Sequence, residues 1–138
     1  MSLTTEFEAA ESRLTEDDIG CLVDTFYARV RQDAALGPVF ERAIADWGPH
    51  LATMRKFWSS VMLTSGRYKG NPVAVHHGVE GIAYELFARW LELFDETCRD
   101  LFDDEIADAF RNKATRIADS LKLALFYRPG RPWPPEIS

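Results

Sequence analysis

The sequence predicts an all-α protein, and three observations support this fold class. Nearly every long segment repeats its apolar residues at the spacing of an amphipathic helix. No segment sustains the two-residue alternation of a strand that faces solvent on one side. Proline and most glycines lie in the short stretches between the periodic segments, where they interrupt regular structure.

Length and composition predict a single domain. The 138 residues are 46% hydrophobic, which is enough for a substantial core. We expect a polar N-terminal arm at residues 1–14, a helical domain at 15–127 and a Pro-rich tail at 128–138. The net charge of -6 is spread along the chain, which argues against nucleic acid as a partner. No apolar run approaches the roughly 20 residues that cross a bilayer, and no secretory signal is visible, so we expect a cytoplasmic protein without membrane contact.

The first helix has a clear start signal. Thr15 followed by Asp18 is typical of a capping box, in which each side chain accepts a hydrogen bond from the other's backbone. The residues that follow at helical spacing form one apolar face: Ile19, Leu22, Val23, Phe26, Tyr27 and Val30.

Proline predicts the next two boundaries. Pro38 disfavours helical geometry at the preceding residue and can itself begin a short helix, in which Phe40 and Ile44 would face inward. Pro49 fits the first position of a further helix. The residues on one face of that helix are His50, Met54, Phe57, Trp58 and Val61.

The second half of the chain predicts a loop and two long helices. Residues 65–75 contain two glycines and a proline, which favours a loop. The helical pattern resumes at Val79 and ends near residue 102, and Asp103 can cap the last helix. The inner faces of these two helices are Ile82, Leu86, Trp90, Phe94 and Cys98, then Ile106, Phe110, Ala114, Ile117, Leu121 and Leu125. We expect Cys21 and Cys98 to be buried free thiols, without a disulfide or a thiolate metal site.

The histidines suggest a cofactor. There are three, His50, His76 and His77, and the first two lie 26 positions apart with apolar flanks. A haem needs an axial nitrogen ligand and an unusually aromatic slot, and both are present in candidate form. A stripe such as Met54, Phe57 and Trp58 is also what an ordinary helical core contains.

Several spaced motifs together resemble a known family, the third group of truncated haemoglobins. The resemblance covers about residues 15–127. The matching residues, in order, are Phe26-Tyr27, Val30-Arg31, Asp33, Leu36-Gly37-Pro38, Phe40, His50, Phe57-Trp58, Tyr68, Gly70, Pro72, His76 and Trp90. The resemblance implies a truncated globin, a two-over-two helical sandwich around haem b, that binds oxygen and other diatomic ligands such as nitric oxide and carbon monoxide.

The resemblance also assigns residues to the two sides of the haem. It implies that His76 is the proximal iron ligand. His77, about 100° further round a helix, would then face away from the iron, either toward solvent or near a haem propionate. The implied distal pocket consists of Tyr27, His50, Met54, Phe57, Trp58 and Trp90. The other implied haem contacts are Phe40, Tyr68, Val75 and Phe94. Arg67, Tyr68 and Lys69 are alternative partners for the propionates.

The implied roles of the distal residues follow from their polar atoms. The hydroxyl of Tyr27 and the indole N–H of Trp90 can donate hydrogen bonds to a partly negative ligand. Alternatively, both are core residues whose polar atoms bind backbone. His50, in the first turn of its helix, is expected to be neutral; it can donate to the ligand, swing outward as a gate, or, like Tyr27, coordinate iron directly.

Three functions remain open from the sequence. The leading hypothesis is an oxygen-binding haem protein with slow ligand release. The second is a redox enzyme, such as a nitric oxide dioxygenase or a peroxidase-like enzyme, which needs an external reductase because the chain carries no flavin or nicotinamide motif. The third is a helical adaptor domain without cofactor, in which His76 is dispensable.

Overall fold

The computed structural model describes residues 13–77 and 82–135, and all regular structure within them is helical. The predicted all-α class is confirmed. Six helices follow one another along the described residues: α1 (Glu16–Gln32), α2 (Gly37–Ala43), α3 (Trp47–Leu63), α4 (Pro72–His77), α5 (Leu86–Leu101) and α6 (Asp104–Phe126). The long helices form two pairs, α1 with α3 and α5 with α6, and α1 also packs on α5. This is the expected two-over-two sandwich.

The predicted capping box opens α1. The backbone N–H of Asp18 donates to Thr15 Oγ1 at 3.2 Å, and that of Thr15 donates to Asp18 Oδ2 at 3.0 Å. All six residues of the predicted apolar face are buried. One side of α1 therefore forms the centre of the core, where α3 and α5 meet it.

An aromatic cluster fills that core. The ring of Phe94 stacks on Trp58 at 4.8 Å between centroids, and meets Phe26 edge-on at 5.1 Å. Phe110 of α6 packs edge-on against Trp58 at 5.8 Å. All four side chains are 1% exposed or less. Helices α1, α3, α5 and α6 are thus held by one continuous set of ring contacts, each of which adds to the burial energy.

Asp33 joins the end of α1 to α5. Its Oδ2 accepts the backbone N–H groups of Ala35 and Leu36 at 3.1 and 3.0 Å. Its Oδ1 accepts Nε and Nη2 of Arg89 at 2.9 and 2.6 Å, and these donors lower the pKa of Asp33. The turn before α2 is therefore fixed to α5. The short helix α2 contains Pro38 in its first turn, as predicted.

Three predicted boundaries are wrong. Helix α3 begins at Trp47 rather than at Pro49, because Asp46 Oδ1 accepts the N–H of Gly48 at 3.3 Å and caps the helix earlier. The expected loop at 65–75 is interrupted by α4, which Pro72 can open because a first-turn proline loses no hydrogen bond. Val79 lies outside the described residues, and α5 itself begins only at Leu86.

One cysteine also differs from its prediction. Cys98 is buried, but Cys21 is exposed, because Ile19, Leu22 and Val23 occupy the core side of α1. The cap of the last helix is confirmed, since Asp103 Oδ1 accepts the N–H of Ile106 at 3.0 Å. The described part of the tail, residues 128–135, is not helical, as predicted. Among the helices described, none is long and apolar enough to span a membrane.

Candidate functional site

Tyr27 lies at the centre of the candidate distal cluster. Its ring is 4% exposed and meets Phe40 edge-on at 5.9 Å between centroids and His50 edge-on at 5.1 Å. Because the ionised phenolate would lose its hydration, burial raises the pKa of Tyr27 strongly. Tyr27 is therefore a neutral phenol at physiological pH, with an O–H that can donate.

His50 reaches Tyr27 from the first turn of α3. The cap at Asp46 starts the helix, so His50 projects its ring toward α1. Burial lowers the pKa of His50, since the charged imidazolium would be poorly solvated there. Its Nε2 atom is buried and has no hydrogen-bond partner among the described residues. A neutral imidazole with a free buried nitrogen therefore lies beside a neutral phenol.

Trp90 belongs to the neighbouring aromatic stack. Its ring lies parallel to Phe94 at 5.2 Å and meets Phe26 edge-on at 5.7 Å. Phe94 in turn stacks on Trp58, so Trp58 and Phe94 lie inside the core stack. The structure thus groups Tyr27 with His50, and places Trp90 one ring away from Tyr27, beyond Phe26.

The other residues expected to contact haem lie on α3 and in the segment that follows it, and they leave apolar surface partly exposed. Met54 and Phe57 are half-buried and pack against the core. The ring of Phe57 lies edge-on to Tyr68 at 5.1 Å. Val75 on α4 is 63% exposed, a large fraction for an aliphatic side chain.

The loop before α4 is tied to α3 and α1. The N–H of Tyr68 donates to Ser60 Oγ at 2.9 Å, and the buried Ser59 hydroxyl donates to Glu16 Oε1 at 2.6 Å. A Cβ at Gly70 would lie 2.5 Å from the Tyr68 hydroxyl oxygen, so glycine allows this phenol to fold back over the chain. Of the three expected propionate partners, Arg67 already pairs with Glu16, at 3.6 Å.

His76 on α4 has the local geometry of a metal ligand. Its Nδ1 lies 2.6 Å from the carbonyl oxygen of Pro72. A carbonyl only accepts, so Nδ1 carries the hydrogen and the lone pair is on Nε2. A backbone carbonyl that fixes the tautomer in this way is the usual second contact of a metal-binding histidine. Within the described residues no ring contact joins His76 to Tyr27 or His50, and the side chain of His77 lies outside them.

Sequence reasoning missed Trp47. This residue opens α3, three positions before His50 on the same face, and its ring lies 6.0 Å from Tyr27 and 5.6 Å from His50. Its Nε1 is buried without a partner among the described residues. The sequence pattern could have placed Trp47 on this face, because Trp47, His50 and Met54 follow the helical spacing of i, i+3 and i+7.

These residues fit the haem that the resemblance implies. His76 would offer Nε2 as a nitrogen ligand, while the Tyr27 phenol and a buried His50 Nε2 that has no partner among the described residues supply polar atoms in a separate cluster. Phe57, Tyr68 and Val75 add apolar surface that the chain leaves partly exposed. A flat apolar group with a metal at its centre matches this combination of donors and surface.

Comparison with known proteins gives a consistent result. The chain is 31% identical over 117 residues to the group 3 truncated haemoglobin of Campylobacter jejuni subsp. jejuni, with 82% of this chain and 92% of that relative covered. The crystal structure of the group III truncated haemoglobin from Campylobacter jejuni superposes with a TM-score of 0.79 at 30% identity, and covers 86% of this chain and 96% of that one. No protein-family model matches the chain.

Proposed function

Since the chain belongs to the group 3 truncated haemoglobin family, we propose that it binds haem b and, at its distal side, reversibly binds oxygen and other diatomic ligands such as nitric oxide and carbon monoxide. The observation that carries this proposal is the 2.6 Å contact between His76 Nδ1 and the Pro72 carbonyl oxygen. It orients the imidazole so that Nε2 is available for iron. Haem supplies an iron atom with a position at which a diatomic ligand can bind.

The protein's own contribution on the proximal side is to hold and orient His76. The Pro72 carbonyl accepts the Nδ1 hydrogen, which keeps the lone pair on Nε2, the atom that would bind iron. Val75 is a proposed apolar contact on this side, and Phe40 and Tyr68 are proposed to touch the porphyrin elsewhere. Phe94, expected on the proximal side, stacks on Trp58 and Trp90, which are proposed for the distal side, so its proposed haem contact is beside them. Among the propionate partners, Tyr68 and Lys69 are favoured over Arg67, because Arg67 is already paired with Glu16.

On the distal side, the chain's task is to hold a small, partly negative ligand. The hydroxyl of Tyr27 keeps its proton because burial raises its pKa, and so can donate a hydrogen bond. The N–H of Trp90 and a ring nitrogen of His50 are proposed as further donors. Each such bond in a site shielded from water contributes about 1–3 kcal/mol, or roughly fivefold to more than a hundredfold in ligand release. Met54, Phe57 and Trp58 are proposed to act as steric walls.

A redox activity is the second candidate, and the neutral Tyr27–His50 pair favours it. Tyr27 and His50 lie in contact, and both are uncharged. Two neutral groups that form hydrogen bonds with a ligand can polarise its oxygen–oxygen bond, and they do not bring hydrating water into the site as charged groups would. The reaction would be nitric oxide dioxygenation or peroxidase-like turnover. Electrons would come from an unidentified external reductase, because the sequence has no flavin or nicotinamide motif. The cytoplasmic location stays a prediction.

Visible absorption of the purified protein tests the haem proposal. Spectra are recorded for the oxidised protein, after reduction, and after addition of carbon monoxide. The proposal predicts a sharp Soret band that shifts with carbon monoxide, which indicates haem with an accessible ligand position. A protein that stays colourless after haem is added would contradict it and would favour a helical adaptor without cofactor.

A further inference from the structure

Two buried nitrogen atoms at one edge of the distal cluster lack partners. Trp47 Nε1 and His50 Nε2 are both enclosed, and neither forms a hydrogen bond within the described residues. Buried polar atoms in folded proteins are nearly always paired with protein or with ordered water. The two atoms lie on one helix face, three residues apart, so one polar molecule could serve as a partner for both.

The rings that carry these atoms form a compact group with Tyr27. Trp47 and His50 lie edge-on to each other with centroids 5.6 Å apart and planes at 87°. Each also contacts the Tyr27 ring, Trp47 at 6.0 Å and His50 at 5.1 Å. Trp47 is therefore in direct contact with two of the three residues proposed to donate to a ligand.

Arg31 holds Trp47 from the outer side. The guanidinium carbon of Arg31 lies 4.6 Å from the centroid of the Trp47 ring, within the range of a cation–π contact. Arg31 Nε donates to Glu41 Oε1 at 2.8 Å, and both of these charged side chains are nearly half exposed. Trp47 thus lies between a charged pair at the surface and the pair formed by the buried Tyr27 and the half-buried His50.

The two nitrogens have complementary chemistry. An indole N–H only donates, whereas a neutral imidazole with its hydrogen on Nδ1 accepts at Nε2. Water can accept from the first and donate to the second. We propose that Trp47 is a further positioning residue of the distal site, and that its Nε1–H and His50 Nε2 bind one ordered water molecule.

The functional consequence of this water site rests on the proposed haem function. A water held by Trp47 gives His50 a fixed partner, so the imidazole stays turned toward Tyr27 and closes the distal side. Loss of the indole N–H frees the imidazole to swing outward. Ligand release then becomes faster, although the Trp47 ring itself is not needed for any contact with the ligand.

The water site is tested by nuclear magnetic resonance of the tryptophan N–H groups in the ¹⁵N-labelled full chain, as purified and as the diamagnetic carbon monoxide adduct. Trp47→Phe assigns the Trp47 signal. We expect this N–H to show a cross-peak with a bound water, and the cross-peak to be lost in His50→Phe. The N–H of Trp133, on the exposed tail, serves as the control and should not change. An absent cross-peak, or one unchanged in His50→Phe, would overturn the water site.

The positioning role is tested by oxygen dissociation in Trp47→Phe, which keeps an aromatic ring and the Arg31 contact but loses the N–H. We expect release about three- to tenfold faster. Trp133→Phe is the matched control and should release at the wild-type rate. A wild-type rate in Trp47→Phe would overturn the role.

Haem content, read from the visible spectrum of the same samples, separates this proposal from the one on which it rests. Failure to retain haem would overturn the proposed function and the positioning role together. The N–H spectrum of the unloaded full chain would still decide the water site by itself.

Discussion

The core and the candidate site of this protein differ in how completely their side chains are buried and hydrogen-bonded. In the core, the fully buried ring of Phe110 meets Trp58 edge-on at 5.8 Å between centroids, and the buried hydroxyl of Thr97 donates to the Leu93 carbonyl at 2.8 Å. The aromatic rings here are shielded from solvent, and the Thr97 hydroxyl has a hydrogen-bond partner. In the site, two ring nitrogens are buried without partners in the part of the chain that the structure describes, and Val75 on α4 is 63% exposed.

This difference separates the side chains whose packing and hydrogen-bond partners all lie within the chain from those that lack such partners. A core whose contacts are all internal contributes mainly to the free energy of folding. Side chains that keep unpaired buried polar atoms or exposed apolar surface lower stability slightly, and such departures from good packing are typical of functional sites. Substitutions in the two regions should therefore change different measurable quantities.

The largest effect on stability is expected in the core. Phe110→Ala removes a fully buried ring that stacks on Phe102 at 5.4 Å and contacts Trp58. The free energy of unfolding, measured by urea titration, should fall by about 3–5 kcal/mol. Ligand release from protein that remains folded should change little. A loss below about 1 kcal/mol would show that the core is less tightly packed than its contacts indicate.

A smaller effect, on ligand release rather than on folding, is expected at Tyr27. Tyr27→Phe keeps the ring and its contacts but removes the hydroxyl. Oxygen dissociation, followed by stopped-flow absorbance, should accelerate by roughly fivefold to more than a hundredfold, which corresponds to about 1–3 kcal/mol. The urea midpoint should stay close to that of the wild type. An unchanged dissociation rate would place the Tyr27 hydroxyl outside the ligand site.

The smallest effect is a pH dependence of stability at His50. Burial lowers the pKa of His50 in the folded state, whereas the unfolded chain has the usual value of about 6.5. As pH falls below that value, the unfolded state binds a proton first, so stability decreases toward the folded pKa. Urea titrations between about pH 7 and about pH 5 should show a shallower decrease for His50→Phe than for wild type. Equal slopes would contradict a buried neutral His50.

Sequence was sufficient where local chemistry determines structure. Thr15 and Asp18 predicted a capping box, and Asp103 a cap, because each feature depends on residues within one turn. The buried face of α1 followed from periodicity. By contrast, Asp46 and Pro72 were not recognised as helix starts, although both residue types commonly occupy such positions.

Interactions between distant segments were harder to predict. The Asp33–Arg89 pair joins residues far apart in the chain, and no local pattern indicates it. The contact of His50 with Tyr27 likewise depends on how α3 crosses α1, and the resemblance to a family, rather than spacing, placed both in one pocket. Trp47 was missed because the helix was expected to begin at Pro49, which left Trp47 outside it.

The most direct test of the account is haem retention in His76→Gly, with His77→Ala as the matched variant of the neighbouring residue. Haem transfer to an excess of apomyoglobin is followed by absorbance for both variants and for wild type, with and without added imidazole. The account predicts that His76→Gly loses haem rapidly and regains it with imidazole, which replaces the missing Nε2 ligand, while His77→Ala retains haem like wild type. Normal retention in His76→Gly, or loss in His77→Ala alone, would contradict it.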